Sequence, residues 1–384
     1  MGTSCAATKH QHIIDAAECA TSLAVTNGNF LKRSQIPLVV HQTWKTASTD
    51  DWSVLIRECV GRWLAFATGH DVTEPDEMAW FLWDDDGVEA LVSLYESDLK
   101  PLFKMLPYPV EKSDVFRVLV LKWFGGVYGD IDSQPLQHPN SWIHADELLD
   151  WGSWGSNTST THALHTSAYP AYTVPPNAPA NYTMHAGLTD TLSLRRTPAV
   201  TAIYGIEADN PPEPDTAYWR MGYSYPVQVT NWAFAMAPHH HSAEQYLLNL
   251  QSFVSSTQGK SLKAIDPLDI TGPPAITKAL QDIALEDNPS FDWQTLSGRN
   301  GDPPGGIGKI IAGDTLILPI TGFNPGRGWL HNMGSRSFGD PNARLKHAAA
   351  GSWRAPDLKV HYGKFCRTVL GMCRDWKKIP DVKD

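Results

Sequence analysis

The sequence predicts an α/β protein with a mostly parallel central sheet. Apolar strands alternate with helical segments in the first third of the chain, the strands end in polar residues, and a Gly-Gly pair separates the longest of these helical segments from the next strand. Such alternation is typical of parallel sheets, and open α/β sheets bind ligands beyond their strand ends. With 384 residues, 42% of them hydrophobic, the chain is long enough to bury a sizeable core.

The predicted elements begin with a buried strand at 36–40, where Ile-Pro-Leu-Val-Val precedes a polar loop at 41–44. A helix is expected over 57–67. A short aromatic strand at 80–83 then runs directly into three aspartates at 84–86. Two interpretations of these aspartates are equally compatible with the sequence. They either contact a nucleotide or an acceptor, or they are solvated surface charges.

The next predicted unit is a helix followed by a strand. Ser113 is the expected N-cap, and Gly125-Gly126 is the expected stop. The sequence 127–132, Val-Tyr-Gly-Asp-Ile-Asp, is interpreted as the strand that follows. Apolar residues recur at helical spacing between the cap and the stop: Phe116, Val120, Trp123 and Phe124.

The second half of the chain is less regular. Residues 150–185 are rich in Ser, Thr, Pro and Asn and have almost no charge, which predicts long surface loops. A further strand is predicted over 310–320, interrupted by Gly313-Asp314 and closed by Pro319, and 297–308 is expected to be a flexible connection.

Composition excludes some classes of function. A net charge of -10 and a pI near 5.8 argue against nucleic-acid binding. No apolar run is long enough to span a bilayer, and the first 20 residues lack the apolar core of a signal peptide. Asn157 and Asn181 stand in glycosylation sequons. Five cysteines permit two disulfides and one free thiol: Cys5, Cys19, Cys59, Cys366 and Cys373.

Asp130-Ile131-Asp132 is the central candidate for chemistry. Residues two apart on a strand project to the same side, so both carboxylates are expected to face one ion. Oxygen ligands beside a diphosphate suit Mn²⁺ or Mg²⁺. Taken alone, an Asp-x-Asp triplet is more often a solvated strand end.

Asp114 and Arg117 precede this triplet on the predicted helix. Residues at i and i+3 share a helix face, so the pair could present a carboxylate to sugar hydroxyls and a guanidinium to phosphate. A simple intrahelical ion pair is the alternative. Their position just before the glycines and Asp130 favours the ligand-binding interpretation.

The stretch from Ser-Asp-Val-Phe-Arg at 113–117 to Gly-Gly-Val-Tyr-Gly-Asp-Ile-Asp at 125–132 resembles the DXD-containing sugar transferases of glycosyltransferase family 32. Ile-Pro-Leu-Val-Val-His-Gln-Thr-Trp-Lys at 36–45 matches that family's first strand. Later segments are similar to the fungal Golgi initiation-specific α-1,6-mannosyltransferase branch, and they follow one another in the order in which that branch has them. These segments are 205–209, 231–232, 237–239, 271–273, 318–323, His347 and 351–353.

The resemblance implies a GT-A fold, with helices on both faces of the sheet, long inserted loops and a nucleotide-diphosphate-sugar donor. It also implies a divalent metal, usually Mn²⁺ with Mg²⁺ as the alternative. By position, Asp130 and Asp132 would hold the metal and ribose, and His347 would be a late metal ligand. An imidazole beside two carboxylates is a reasonable Mn²⁺ set.

The resemblance also assigns the donor pocket. Thr43 and Trp44 would border the nucleotide, and Asp114 and Arg117 would hold the donor sugar. Gly351, Ser352 and Trp353 would close over the diphosphate.

Two further residues complete the predicted catalytic set with Asp114 and Arg117. Asp209 is the expected acceptor-side carboxylate. Asn231 stands where this branch commonly has Gln, which affects polar contacts near the sugar. Trp232 and Trp353 are the tryptophans expected to contact ligand. His239-His240-His241 is expected to have a loop role, because neighbouring residues on an extended chain point in opposite directions.

The expected function is therefore transfer of mannose from GDP-mannose to an N-glycan, with retention, in α-1,6 linkage. A hypothesis for the step is front-face attack, in which the leaving phosphate takes the acceptor proton. The alternatives are a UDP-sugar donor (galactose or N-acetylglucosamine), a silent glycan-binding protein and a metal-dependent phosphohydrolase. We expect a stem or extension at 1–35, a catalytic domain at 36–354 and a C-terminal extension at 355–384. The expected location is the Golgi lumen, through a type II anchor outside this chain.

Overall fold

The computed structural model describes residues 12–68, 78–148, 200–210, 218–257, 262–299, 306–328, 332–349, 358–374 and 376. Within these ranges the helices are α1 Ile13–Asn27, α2 Val54–Ala67, α3 Asp85–Tyr95, α4 Lys100–Met105, α5 Pro109–Phe124, α6 His241–Ser256, α7 Pro267–Thr271, α8 Pro273–Asp287 and α9 Leu358–Phe365. The strands are β1 Val39–Thr43, β2 Ala79–Trp83, β3 Gly126–Gly129, β4 Ser133–Pro135, β5 Ala202–Asp209, β6 Val227–Met236, β7 Lys309–Ile311, β8 Thr315–Leu318 and β9 Leu345–His347.

The central sheet has the strand order β2-β1-β3-β6-β5-β8-β7. The β2–β1, β1–β3 and β5–β8 pairs are parallel, whereas β6 and the edge strand β7 run against their neighbours. Five of these seven strands therefore point in one direction. This confirms the predicted α/β class with a mostly parallel sheet.

Both faces of the sheet are buried. On β6, Phe234 and Met236 pack into one hydrophobic cluster, together with residues of α5, α6 and α8. Their neighbours Ala233 and Ala235 pack into a second cluster, which includes Trp63 of α2. The two-residue period of a strand places successive side chains on opposite faces, so helices cover the sheet on both sides as predicted.

Strand β1 extends further than the sequence predicts. His41 and Gln42, expected in a polar loop, are fully buried strand residues. The ring of His41 accepts a hydrogen bond from Trp83 Nε1 at 3.1 Å, and its Nε2 lies 3.2 Å from the carbonyl oxygen of Gly125. Burial lowers the pKa of His41 to about 3. A neutral, fully bonded imidazole is compatible with a strand interior.

Helix α5 begins earlier than predicted. Pro109 is its first residue, and the Glu111 carboxylate accepts the backbone N–H of Tyr108 at 2.9 Å. The predicted N-cap, Ser113, is therefore wrong: it lies inside the helix. Proline suits a first helical position because the N–H it lacks would have no partner there. The predicted stop is confirmed, since Gly125 ends the helix with a positive φ of 65°.

The remaining strand predictions are confirmed at 80–83 and 310–320. The latter is a hairpin of β7 and β8 with Gly313 and Asp314 in its turn. The aspartates at 84–86 begin α3, and the Asp84 side chain caps it by accepting the N–H of Gly87 at 2.9 Å. The predicted loop region 150–185 and its two sequons lie outside the described residues.

The two ends of the chain contribute helices. Ile14 and Ala17 of α1 are buried in the main core, and the Thr21 hydroxyl donates to the carbonyl of Phe124 at 3.0 Å. Residues 13–27 therefore belong to the packed body. At the other end, Cys366 and Cys373 form a disulfide, Cys19 is also disulfide-bonded, and Cys59 is free and buried. No helix within the described ranges has the length and apolar character needed to cross a membrane.

Candidate active site

Asp130 and Asp132 lie in a tight turn just beyond the end of β3. The strand ends at Gly129, and the N–H of Ser133 donates to the carbonyl of Asp130 at 2.9 Å. The two carboxylates thus converge through a turn rather than through strand alternation, which corrects the sequence-based reasoning. Gln42 fixes the turn from β1, because its amide donates to the carbonyls of Gly129 and Asp130 at 3.2 and 3.1 Å.

His347 joins the two aspartates from the far end of the chain. Strand β9 pairs with β4, placing His347 opposite Ser133, and its Nε2 lies 3.0 Å from Asp132 Oδ1. The ring stacks on Trp232, with centroids 4.5 Å apart and planes inclined by 15°. One ligand atom from each of Asp130, Asp132 and His347 lies within 4.8 Å of the others. This mixed oxygen and nitrogen set suits a divalent cation such as Mn²⁺.

Arg117 connects these carboxylates to helix α5. Its guanidinium contacts Asp130 Oδ1 at 3.1 Å and Asp114 Oδ1 at 2.7 Å. The pair at 114 and 117 is therefore an intrahelical ion pair that also reaches the DXD turn. Burial alone would lower the pKa of Arg117, but the neighbouring carboxylates of Asp130 and Asp114 hold that pKa above its ordinary value. The buried Arg117 Nε has no hydrogen-bond partner among the described residues.

Asp114 is fixed from three elements. Besides Arg117, it accepts hydrogen bonds from Asn231 Nδ2 at 3.0 Å and from the Thr271 hydroxyl at 2.9 Å. Burial raises the pKa of Asp114 to about 6, while Arg117, Thr271 and Asn231 favour the ionised form. At neutral pH the group is therefore an ionised carboxylate with a fixed orientation.

Asp130 is similarly constrained. It accepts from the Tyr128 hydroxyl at 3.0 Å, and the ring of Tyr128 faces the Arg117 guanidinium at 5.6 Å. Burial raises the pKa of Asp130, whereas the nearby Arg117 and His347 oppose that rise. A bound cation would oppose it further, because it stabilises the ionised carboxylate.

Thr43 is the last residue of β1, and Trp44 follows it at the strand end near the DXD turn. The Thr43 hydroxyl and the Trp44 backbone N–H both donate to the carbonyl of Trp83, each at 2.9 Å. The Trp44 side chain packs against a small apolar cluster that includes Ile131, the residue between the two aspartates. Trp44 therefore borders the DXD turn, whereas the hydroxyl of Thr43 is bonded to β2.

Comparison with known proteins matches residues 65–149 to the glycosyltransferase sugar-binding region containing a DXD motif. That segment contains Asp114, Arg117, Asp130 and Asp132.

Residues 65–149 are therefore similar to the DXD-containing sugar-binding region of glycosyltransferases.

Several fungal mannosyltransferases are similar to this DXD chain over longer spans. The initiation-specific α-1,6-mannosyltransferase of Schizosaccharomyces pombe is 31% identical over 284 residues, which are 71% of this chain and 55% of the relative. The Candida albicans enzyme of the same name is 24% identical over 83% of this chain and 72% of its own length. Inositol phosphoceramide mannosyltransferase 1 of Schizosaccharomyces pombe is 32% identical over 26% of this chain and 28% of its own. The chain spans little more than half of the first relative. These matches confirm the resemblance on which the sequence analysis relied.

Among solved structures, the PaToxG glycosyltransferase covers 74% of this chain and 80% of its own at 13% identity, with a TM-score of 0.35.

Asp209 lies apart from the DXD turn. It is 1% exposed and accepts the backbone N–H of Gly298 at 2.9 Å, so it holds the segment after α8. In this conformation it is not open to an acceptor. Gly351, Ser352 and Trp353 lie outside the described residues.

Glu207 is a candidate residue near the DXD site that the sequence analysis missed. It is partly buried on β5, accepts from Gln228 Nε2 at 2.7 Å, and interacts electrostatically with Arg327 and His347. Burial raises its pKa to about 7, against the opposing effects of Gln228, Arg327 and His347. The only sequence signal was its place in the Gly-Ile-Glu-Ala-Asp segment, where Asp209 was chosen instead.

Proposed function

We propose that this chain is a metal-dependent retaining glycosyltransferase that moves mannose from GDP-mannose to an N-glycan acceptor in α-1,6 linkage. The strongest support is the convergence of Asp130, Asp132 and His347 beside the Asp114–Arg117 pair. The four residues other than His347 lie in the segment that matches the DXD sugar-binding region. The mannosyl donor and the linkage are suggested by the α-1,6-mannosyltransferases, which are similar over 71% and 83% of this chain. The matches to inositol phosphoceramide mannosyltransferases are shorter.

Asp130, Asp132 and His347 would hold Mn²⁺ or Mg²⁺. The ion would neutralise the charge that develops on the departing nucleotide diphosphate. His347 is held against Trp232 by ring stacking, and Asp130 by Arg117 and Tyr128. Three ligands from two distant segments are thus oriented before any ligand binds, which reduces the reorganisation needed during the reaction.

The donor sugar would lie over the Asp114–Arg117 pair. Asp114 would be an oriented acceptor for sugar hydroxyl groups, and the Arg117 guanidinium beside it would be a charged donor group. Asn231 and Thr271 fix the Asp114 carboxylate, so loss of either would disturb sugar position rather than bond breaking. Thr43 and Trp44 would border the nucleotide at the end of β1.

The acceptor would approach from the side of β5. Its hydroxyl oxygen would attack the anomeric carbon, the bond to the diphosphate oxygen would break, and the proton would leave with that phosphate. Glu207 lies on this side with a pKa near neutrality, and is suited to accept a hydrogen bond from an acceptor hydroxyl. The protein would contribute mainly positioning and electrostatic stabilisation.

A secretory location agrees with this proposal. Disulfides form in oxidising compartments, and Cys366–Cys373 and Cys19 are disulfide-bonded. The relatives are fungal mannosyltransferases, from which we infer residence in the Golgi lumen through a type II anchor.

The test is a turnover assay in the presence of Mn²⁺. Three donors (GDP-mannose, UDP-galactose and UDP-N-acetylglucosamine) are each tested on two acceptors, a mannose-rich N-glycan and inositol phosphoceramide. We expect transfer only from GDP-mannose to the N-glycan, with an α-1,6 linkage by NMR. Preferential use of a UDP-sugar would reject the donor assignment, and transfer to the lipid alone would reject the acceptor. Glycan binding without nucleotide or turnover would indicate a silent lectin.

A further inference from the structure

A second cluster of metal-ligating side chains lies at the opposite edge of the sheet from the DXD turn. His240 and His241 follow the end of β6, and Asp314 precedes β8. Met236 of β6 and Thr315 of β8 both pair with Ala202, the first residue of β5, so the three chain segments meet at this edge. The proposed transferase chemistry uses none of these residues.

The two histidines point to the same side, contrary to the sequence-based expectation. His239 has a left-handed backbone with φ of 57°, His240 is the N-cap of α6, and His241 is its first residue. The chain therefore turns sharply instead of running extended. The rings of His240 and His241 lie 4.2 Å apart between centroids.

The separations suit a small transition-metal ion. One ligand atom from each of His240, His241 and Asp314 lies within 4.8 Å of the others. His240 Nε2 and Asp314 Oδ1 are 3.4 Å apart. Bonds of about 2.0–2.1 Å in a tetrahedral zinc site place two ligands about 3.4 Å from each other. His241 is exposed, so its ring can complete the set by a side-chain rotation.

The surroundings of His240 hold its ring in one orientation. His240 is 4% exposed, and its Nδ1 lies 2.7 Å from the Ser242 hydroxyl, which in turn contacts the Tyr204 hydroxyl at 2.8 Å. Its Nδ1 also accepts the backbone N–H of Ser242 at 3.2 Å, which caps α6, while its Nε2 faces Asp314 Oδ1. Outer hydrogen bonds of this kind fix the orientation of a histidine ring.

Asp314 is also oriented before any ion binds. Its Oδ2 accepts the Thr201 hydroxyl at 2.5 Å, while Oδ1 faces His240 and accepts from Thr315 at 3.0 Å. A helix cap and an ion pair alone would explain the positions of the His240 and Asp314 side chains. They would not explain why the exposed His241 ring lies against His240.

We propose that His240, His241 and Asp314 form a zinc-type site, with water as the fourth ligand. Two imidazoles and one carboxylate are a favoured set for Zn²⁺, whereas Mn²⁺ prefers more oxygen ligands. The ion would join the start of α6 to the β7–β8 turn, and so stabilise the edge of the sheet remote from the DXD turn.

The test is Zn²⁺ titration of the full chain carrying Asp132→Ala and His347→Ala, which removes two of the three ligands of the DXD cluster. We expect calorimetry to show a zinc site, and Co²⁺ to give visible bands typical of nitrogen ligation. Adding His241→Ala should weaken zinc affinity at least tenfold and lower the zinc-dependent rise in melting temperature. His241 is exposed, so this change should leave the fold intact, as circular dichroism can verify.

The matched control is His361→Ala, which removes an exposed histidine from α9. It should leave zinc affinity unchanged. Asp314→Asn keeps the shape of the side chain and should also weaken binding. The site is refuted if the starting variant binds no zinc, or if His241→Ala and His361→Ala bind it equally. Neither result depends on transferase activity, so the proposed function and this site can fail separately.

Discussion

Asp132 gives the most direct test of the metal site, because its carboxylate is one of the three candidate ligands. Its side chain contacts His347 at the edge of the cluster, while its backbone carbonyl accepts from Ala348. Asp132→Ala should therefore fold normally and lose at least 100-fold in Mn²⁺-dependent turnover, because the developing phosphate charge is no longer neutralised. Turnover and circular dichroism are the measurements. Near-normal activity in Mn²⁺ would contradict the assignment.

Arg117 combines ligand binding with structure, so its substitutions should affect both. Its guanidinium contacts two carboxylates from different elements, and a lysine ammonium has no planar fork with which to do so. Arg117→Lys should lower kcat/KM by about 10²–10³-fold, or roughly 3–4 kcal/mol in transition-state energy. Arg117→Met should also destabilise the fold, because it leaves the buried Asp114 and the partly buried Asp130 without their cation.

Kinetics and urea unfolding of the two Arg117 variants separate these effects. The lysine variant should lose activity with little change in unfolding free energy, whereas the methionine variant should lose about 3–5 kcal/mol. If both retain full activity, Arg117 does not hold the donor.

At the level of elements, the start of helix α5 predicts a pH dependence of stability. Glu111 is fully buried, one of its oxygens has no hydrogen-bond partner among the described residues, and burial raises its pKa to about 7. Because the folded pKa exceeds the unfolded value, the neutral form favours folding. This stability is complete below about pH 4 and is lost as pH rises through 7.

Glu111→Gln keeps the neutral shape at every pH. It should match the wild type in unfolding free energy at pH 4 and exceed it at pH 8 by about 1–3 kcal/mol. Urea unfolding at the two pH values measures the difference. Glu89→Gln, an exposed change on α3, is the control and should not produce this divergence. An equal effect at both pH values would show that Glu111 does not titrate on folding.

The junction of α5 and β3 depends on glycine. Gly126 has φ of 97°, and a Cβ there would lie 2.3 Å from the carbonyl oxygen of Val39 on β1. Gly126→Ala should therefore separate β1 from β3, displace the DXD turn and destabilise the fold by several kcal/mol.

Gly61→Ala in α2 is the matched control for this junction. A Cβ at Gly61 meets no atom within 4 Å, and alanine favours a helix interior by about 1 kcal/mol. Thermal unfolding should show opposite shifts for the two variants. A stable, active Gly126→Ala protein would mean that the β1–β3 contact does not position the site.

Across the whole molecule, features encoded by neighbouring residues were predictable from sequence and long-range contacts were not. The alternation of strands and helices and the stop at Gly125 follow from local patterns. Serine is a good helix cap, so the local sequence favours Ser113, but Pro109 and Glu111 start the helix earlier. His347 meets Asp132 across 215 positions, and only family resemblance suggested it. Glu207 gave no local signal, because its environment is created by Gln228 and Arg327 from other elements.

Because the site is assembled from segments throughout the chain, ligand binding should stabilise the molecule as a unit. Burial raises the pKa of both Asp114, which is buried, and Asp130, which is partly buried. A bound cation would favour the ionised forms of these carboxylates. GDP with Mn²⁺ at 100 times its Kd should add about 2.7 kcal/mol to the unfolding free energy, seen as a higher melting temperature.

The nucleotide and the metal should act together in that measurement. We expect GDP alone, or UDP with Mn²⁺, to raise the melting temperature less than GDP with Mn²⁺, and Asp132→Ala to remove the difference. Only Mn²⁺ is used in this experiment, which avoids zinc binding at the cluster of His240, His241 and Asp314. The His241→Ala variant checks that this cluster does not contribute to the shift. An equal shift with GDP in the presence and absence of Mn²⁺ would show that the nucleotide binds away from the DXD turn.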